Sequence, residues 1–266
     1  MNPQPEPTEI VGWIQQAVAG QLTWSEVAER LLMLEHAVDA PHRPDIDRRR
    51  RCGFGEVIFG SGKSAADVVA ITNRLLDSGQ DEVLITRVEP GVVEVIAEHF
   101  EHRRYDEQGR TLRIARRPVT TVRTLPSPAP LDAPVAILTA GSTDLPVAQE
   151  ALETLRWMGI AAELICDVGV AGPYRLLPHL EQLRQCVCLV VVAGMEGALV
   201  SVVGGLVPVP VIAVPTSVGY GANLSGITTL LSMLSSCAAG VTVVNIDAGF
   251  KGGYVAGLIA AGHRRQ

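Results

Sequence analysis

The chain has 266 residues, of which 47% are hydrophobic and 19% charged, and a net charge of -6 at neutral pH. That length suits two modest domains or one large one with a sizeable core, and the acidic balance gives no electrostatic reason to expect a nucleic-acid partner. Cysteine number is odd, at five, and the opening MNPQPEPTEI lacks a basic end followed by an apolar run, so free thiols in a cytoplasmic protein are the expectation.

Pro7-Thr8-Glu9 opens an apolar-periodic run to Val18, and Thr23-Trp24-Ser25-Glu26 opens a second carrying Val27, Leu31, Leu32 and Leu34. Pro41 and Pro44 end it, so residues 1–44 are expected to form a helical segment. The basic run Arg48 to Arg51 is most simply a solvated helix face. From Gly55 the pattern becomes strand, helix, strand, helix: EVIFG, Ser64 to Ser78, EVLITRV, Pro90 to Phe100. An Arg-rich segment with a turn signal at Asp106-Glu107-Gln108-Gly109 completes a small α/β domain over residues 45–124.

Within it, Phe59-Gly60-Ser61-Gly62-Lys63-Ser64 follows a strand and opens a helix, as a P-loop does. The glycine that a Walker A loop needs five positions before Gly62 is Val57, so the phosphate-wrapping loop is not available. Lys63 is left as a turn lysine or as an anion contact at a helix start.

LPSPAPLDAP, residues 125–134, is a Pro-rich link. Beyond it, strands and helices alternate: VAILTAG, a helix from Pro146 to Met158, AELICDVG, a helix near Arg175 to Arg184, LVVVAG, a helix from Ala198 to Leu206, PVIAVP, a helix from Ile227 to Ser236, VTVVNID and a last helix ending near Ala261. The alternation predicts a doubly wound, mostly parallel sheet over residues 135–266, with a flavodoxin-like layout. A membrane span across Val191 to Gly221 is disfavoured by Glu196, Pro208, Pro210, Pro215 and the many glycines. Cys186 and Cys188, two apart in a strand pattern, fall on one side of the strand and are expected to be packing residues. No Cys or His set completes a tetrahedral metal site.

Ligand sites in open parallel sheets lie beyond the carboxyl ends of the strands. Here those ends carry Ala140-Gly141-Ser142-Thr143-Asp144, Asp167-Val168-Gly169, Gly194-Met195-Glu196-Gly197 and Thr216-Ser217-Val218-Gly219. Amides and hydroxyls at Ser142 suit a phosphate and Asp144 suits a ribose hydroxyl, although each residue alone is an ordinary cap. Glu196, on a glycine-flanked loop in an apolar stretch, is the best candidate base or orienter.

The pieces AGSTDLPVAQEA, DVGVAGPYRLL, VVAGMEGALVSVVGGL, PVIAVPTSVGYG, MLSSCAAG and VVNIDAGF together resemble the LarB family of nickel-pincer-nucleotide cofactor biosynthesis, whose C-terminal domain is similar to the purine enzyme PurE. The likeness extends more loosely to Asp45, Arg48, Arg51, GFGEVIFGSGK and LITRV. It implies a PurE-like fold and an enzyme that carboxylates nicotinic acid adenine dinucleotide with CO2, then hydrolyses the phosphoanhydride to give pyridinium-3,5-biscarboxylate mononucleotide and AMP. It further implies Cys237 as nucleophile, Glu196 as base, Ser142 and Asp144 on the ribose or phosphate, Asp167 and Arg175 at another polar end, and Thr216 and Ser217 on the ring carboxylate. Magnesium is a candidate companion of the substrate pyrophosphate, no covalently bound cofactor is expected, and a homo-oligomer, an octamer, is implied.

The chain departs from the family pattern at Gly55 and Val200, where prolines are usual, at Ala248, where asparagine is usual, and at Lys251-Gly252, where glycine-alanine is usual. Two other readings stay open: a PurE-type carboxylase or mutase on aminoimidazole ribotide, disfavoured because no histidine lies between His179 and His263, and a non-catalytic nucleotide-binding module.

Overall fold

The structure, a computed structural model, describes residues 7–36, 42–119 and 135–263; the expected link at 125–134 lies outside them. Met1–Pro44 and Asp45–Gln266 are two compact units. In the first, helices α1 (Pro7–Val18) and α2 (Trp24–His36) form a hairpin. Thr23 starts α2 with a reciprocal cap: its hydroxyl accepts from Glu26 N at 3.2 Å while the Glu26 carboxylate accepts from Thr23 N at 2.7 Å. Ala17 and Val27 are buried, and the Arg30 guanidinium stacks over the Trp13 ring at 5.5 Å.

The second unit holds two sheets. The smaller is built from α3 (Arg48–Cys52), β1 (Ile58–Phe59), α4 (Ala65–Asp77), β2 (Glu82–Thr86), α5 (Pro90–Ala97), β3 (Arg103–Asp106) and β4 (Thr111–Ala115). Its order is β1-β2-β4-β3, with β1 and β2 parallel and the rest antiparallel. Val68, Leu75, Val83, Ile85, Ile96, Leu112 and Ile114 form its core. Ser64 and Asp67 cap α4 reciprocally, and Lys63 Nζ donates to Phe59 O at 2.9 Å, so the lysine closes its own loop. At Gly55 a Cβ would lie 2.4 Å from the Gln80 amide carbon, so the glycine leaves room for that side chain where it now lies. That amide cross-links the chain by donating to Glu56 O and Glu82 O.

The larger sheet uses β5 (Val135–Thr139), α6 (Leu145–Trp157), β6 (Ala162–Ile165), α7 (Leu180–Arg184), β7 (Cys188–Ala193), α8 (Ala198–Leu206), β8 (Val211–Pro215), α9 (Ile227–Leu234), β9 (Val241–Val243) and α10 (Gly249–His263). All its pairs are parallel, in the order β6-β5-β7-β8-β9. The mixed α/β class, with a PurE-like parallel sheet preceded by a smaller α/β domain, agrees with the sequence reading. Strands β5, β7 and β8 are buried along their whole length, which is why they are near-continuous Val/Ile runs. Alternate residues supply the two faces: Leu138, Leu189, Val191 and Ala213 pack toward α8 and α9, and Ile137, Val190, Val192 and Ile212 pack toward α6 and α10. On α10, Gly249, Gly253 and Gly257 recur every fourth residue and let its backbone lie against α6; a Cβ at Gly253 would sit 2.5 Å from Ala151 O.

Two local expectations are corrected. The helix expected from Arg175 to Arg184 is a pair of 3-10 turns, Pro173–Arg175 and Leu177–His179, followed by short α7. Pro178 has no amide to donate and blocks a continuous helix. Cys186 precedes β7 and packs with the α8–α9 side, whereas Cys188 packs with the α6–α10 side, so the pair does not share a face. Both are buried, and burial pushes each thiol up to about 12. Among the described residues no helix is long and apolar enough to cross a membrane.

Candidate active site

The chain leaves β5 for β6 on one side and returns to β7 on the other, so the order reverses at β5, and in open α/β sheets such a switch point, beyond the carboxyl ends of the strands, is where ligands bind. Asp144 lies there, 3% exposed, at the end of a 3-10 turn that precedes α6. Its carboxylate accepts from Thr216 Oγ1 at 2.8 Å, from Gly141 N at 3.0 Å and from Gly194 N. Thr216 is fully buried. Burial raises the Asp144 pKa above the ordinary aspartate range, and the three donors oppose the rise. Asp144 and Thr216 therefore tie the loops after β5, β7 and β8 together.

The open groups are their neighbours. Ser142 and Ser217 are exposed, and the Ser217 amide donates to Asp247 Oδ1 at 2.8 Å. Beyond β6, Asp167 has φ +58° and its carboxylate takes Arg175 Nη1 at 2.6 Å, while its amide donates to Thr139 Oγ1 at 3.0 Å. Beyond β7, Met195 has φ +53°; its amide donates to Val218 O, and its carbonyl accepts from Asn223 Nδ2 at 2.9 Å and from Thr229 Oγ1. This stitching holds the loop that presents Glu196.

Glu196 itself is exposed, as is Met195. The apolar surroundings expected from its sequence neighbours are absent within one copy because those neighbours turn into α8 and the sheet. Cys237 is exposed too, on the turn entering β9, and so belongs to the amino end of that strand. Its neighbour Ser236 is tied to Ser201 of α8, Oγ to Oγ at 2.9 Å. One copy thus groups Ser142, Asp144, Glu196, Thr216 and Ser217 at the carboxyl edge, with Asp167 and Arg175 beside them, and places Cys237 at the other edge. The thiol that does lie beyond a carboxyl end, Cys166, has a pKa raised by burial and then by Asp167, which disfavours its thiolate.

Asp247, Asn223, Arg87 and Glu150 were not singled out from the sequence. Asp247, Arg87 and Glu150 lie within the quoted pieces VVNIDAGF, LITRV and AGSTDLPVAQEA; Asn223 carries only the weak signal of a polar residue among small and apolar ones. Val200 is fully buried between Leu199 and Val203 and fills core where the family has proline. Nothing in the structure explains Ala248. Among the described residues no group of three or more His, Cys, Asp or Glu side chains is placed to hold a metal ion.

The buried pair gives a direct test. Thr216→Val removes one donor from a buried carboxylate and should cost about 1–3 kcal/mol at neutral pH. Because the folded state already raises the Asp144 pKa, its contribution to stability is fully present below about pH 3.9 and is lost as pH rises through the folded value. Losing a donor enlarges that rise, so the variant's deficit should be small near pH 4 and grow toward pH 7. Urea unfolding at both values measures it, and an equal deficit at the two would remove Asp144 as the cause.

Residues 40–116 match a family model described as the LarB/PurE-like N-terminal domain, and residues 134–265 match one described as AIR carboxylase. An uncharacterized protein of Methanocaldococcus jannaschii, MJ0165, is 38% identical over 245 residues, covering 91% of this chain and 93% of its own.

Proposed function

Since the chain belongs to the LarB family, and with its AIR carboxylase domain is an enzyme of carboxylase type, we propose that it carboxylates nicotinic acid adenine dinucleotide and hydrolyses the phosphoanhydride to release AMP. The observation that carries this reading over a purine carboxylase is the loop after β7. It reads Gly194-Met195-Glu196-Gly197-Ala198-Leu199, without the histidine that the purine enzymes use to handle the proton. The only acid in that stretch is Glu196.

A pyridinium ring is electron-poor and does not attack CO2. In this reading the Cys237 thiolate adds at the ring carbon para to nitrogen, making a dihydropyridine whose enamine carbon is nucleophilic. That carbon forms a bond to CO2. Glu196 then takes the ring proton, and the thiolate leaves with the C–S electron pair, restoring the aromatic ring. Water cleaves the phosphoanhydride. Ser142 and the amides around Gly141 suit the phosphates and Ser217 the ring carboxylate, while Asp167 and Arg175 hold another polar end. Magnesium enters with the substrate pyrophosphate.

The same reading requires assembly. Leu224, Ile227, Leu231 and Leu234 form an exposed apolar row on and before α9, close in sequence to Cys237. A homo-oligomer, the octamer implied by resemblance, covers that row. It also lets an exposed thiol from the amino edge meet an exposed carboxylate from the carboxyl edge on one substrate.

Purified protein given nicotinic acid adenine dinucleotide and labelled bicarbonate should yield the labelled biscarboxylate mononucleotide and AMP by mass spectrometry. Turnover of aminoimidazole ribotide in place of the dinucleotide would move the assignment to the purine reaction, and binding without product would leave a nucleotide-binding module.

A further inference from the structure

We propose that Arg87, on the small sheet, is a positioning residue for the strand-end site of the large sheet, acting through Asp247 on the loop that carries Ser217. The proposal rests on the reading that the strand-end loops hold the substrate.

Arg87 follows β2 and has φ +54°, a left-handed conformation that is uncommon for a residue with a side chain. Its guanidinium lies 5.8 Å from the Phe59 ring. From there Nη2 donates to Asp247 O, and Nε meets Glu150 Oε1 at 3.4 Å. Glu150, on α6, is nearly buried, with 5% of its side chain exposed. Its other oxygen accepts from Phe250 N at 3.0 Å in the first turn of α10, where an anion is favoured by the helix dipole. Arg87 and Glu150 therefore grip the junction between β9 and α10 from two sides.

Asp247 is the node at that junction. It too is left-handed, with φ +55°. Its amide donates to Pro215 O at 2.8 Å, its carboxylate accepts the Ser217 amide at 2.8 Å, and its carbonyl accepts Arg87. Each main-chain and side-chain polar group of Asp247 is thus engaged, two of them with the end of β8 and one with the small sheet. The turn between β3 and β4 seats the small sheet at the same place: a Cβ at Gly109 would lie 2.9 Å from Glu150 N, so only glycine permits this approach. Arg87, Gly109, Arg110, Glu150 and Asp247 line the resulting cavity of about 170 Å³.

An arginine suits this task because its planar fork serves a carbonyl and a carboxylate at once; a lysine has one point charge and cannot hold both in fixed geometry. Loss of the fork frees the Asp247 carbonyl and loosens the Asp247–Ser217 link while leaving the sheet strands untouched. Misplacing a substrate-contacting loop by an ångström costs up to about 100-fold.

The test compares the parent protein with Arg87→Ala and Arg87→Lys by hydrogen exchange and by steady-state kinetics with nicotinic acid adenine dinucleotide. Exchange in the segments 216–219 and 245–250 should rise by about tenfold or more in Arg87→Ala, with β5 and β7 unchanged. The KM should rise about tenfold with a smaller change in kcat. Arg87→Lys, which keeps the counter-charge of Glu150 and guards against misfolding, should fall between. Unchanged exchange in both segments, or a rise spread evenly over β5 and β7, overturns the proposal. If the dinucleotide is not a substrate, the exchange result still decides the role of Arg87, so failure of the functional reading and failure of this inference are separable.

Discussion

Cys237→Ser is expected to lower carboxylation by at least about 1,000-fold while leaving folding and dinucleotide binding close to the parent. A serine hydroxyl is not ionised near neutral pH and is a far weaker nucleophile toward a pyridinium than a thiolate, and loss of a covalent nucleophile has cost as much as about 10⁶-fold elsewhere. Cys237 is exposed on the turn before β9 and outside the cores on both faces of the sheet. Exchange of its sulfur for oxygen therefore leaves packing intact, which separates chemistry from stability. Calorimetric binding and thermal unfolding of the variant check the second half of this statement. A Ser variant that makes the biscarboxylate at a rate near the parent's would falsify the thiol-adduct mechanism.

Glu196→Gln is expected to slow product formation by about 100-fold or more with little change in substrate affinity, because the base acts on a proton that moves only after CO2 has added. The amide keeps the size of the side chain and cannot take that proton. A carboxylated ring should then remain attached to Cys237, visible in the intact-protein mass. Since Glu196 is exposed in one copy, its action as a base depends on substrate or a neighbouring copy closing over it, and dilution below the assembly concentration should depress turnover in parallel. Undiminished product from the Gln variant reduces Glu196 to a loop residue.

The parallel sheet was legible because buried strands must be apolar on both faces: LVVVA and PVIAV admit few other structures, and each leads through a glycine-containing loop to a helix. The 3-10 turns at Pro173–Arg175 and Leu177–His179 were harder, since their apolar spacing imitates a helix and only Pro178 argues against it. At the site, strand-end position identified Asp144 and Thr216, yet their mutual hydrogen bond spans 72 residues of sequence. Nothing local distinguishes a residue that faces a ligand from one that faces another loop. Exposure of Glu196 was hidden for the related reason that apolar sequence neighbours turn away into the core. Arg87 was beyond reach, because its partners Glu150 and Asp247 belong to the other sheet's helix and loop.

The close seating of α10 on α6 also fixes an order of events during synthesis. Helix α10 covers Val190, Val192, Ile212 and Val214 together with α6, yet among the described elements it is the last in the chain. Until its residues have left the ribosome, α6 alone is there to cover that face of the sheet. The small sheet, complete by Ala115, has its strands available much earlier, with Arg87 and Gly109 already poised at one edge. That face is complete only when Gly249, Gly253 and Gly257 seat α10 against α6, and a nascent chain stalled before them leaves apolar strand residues exposed to chaperones.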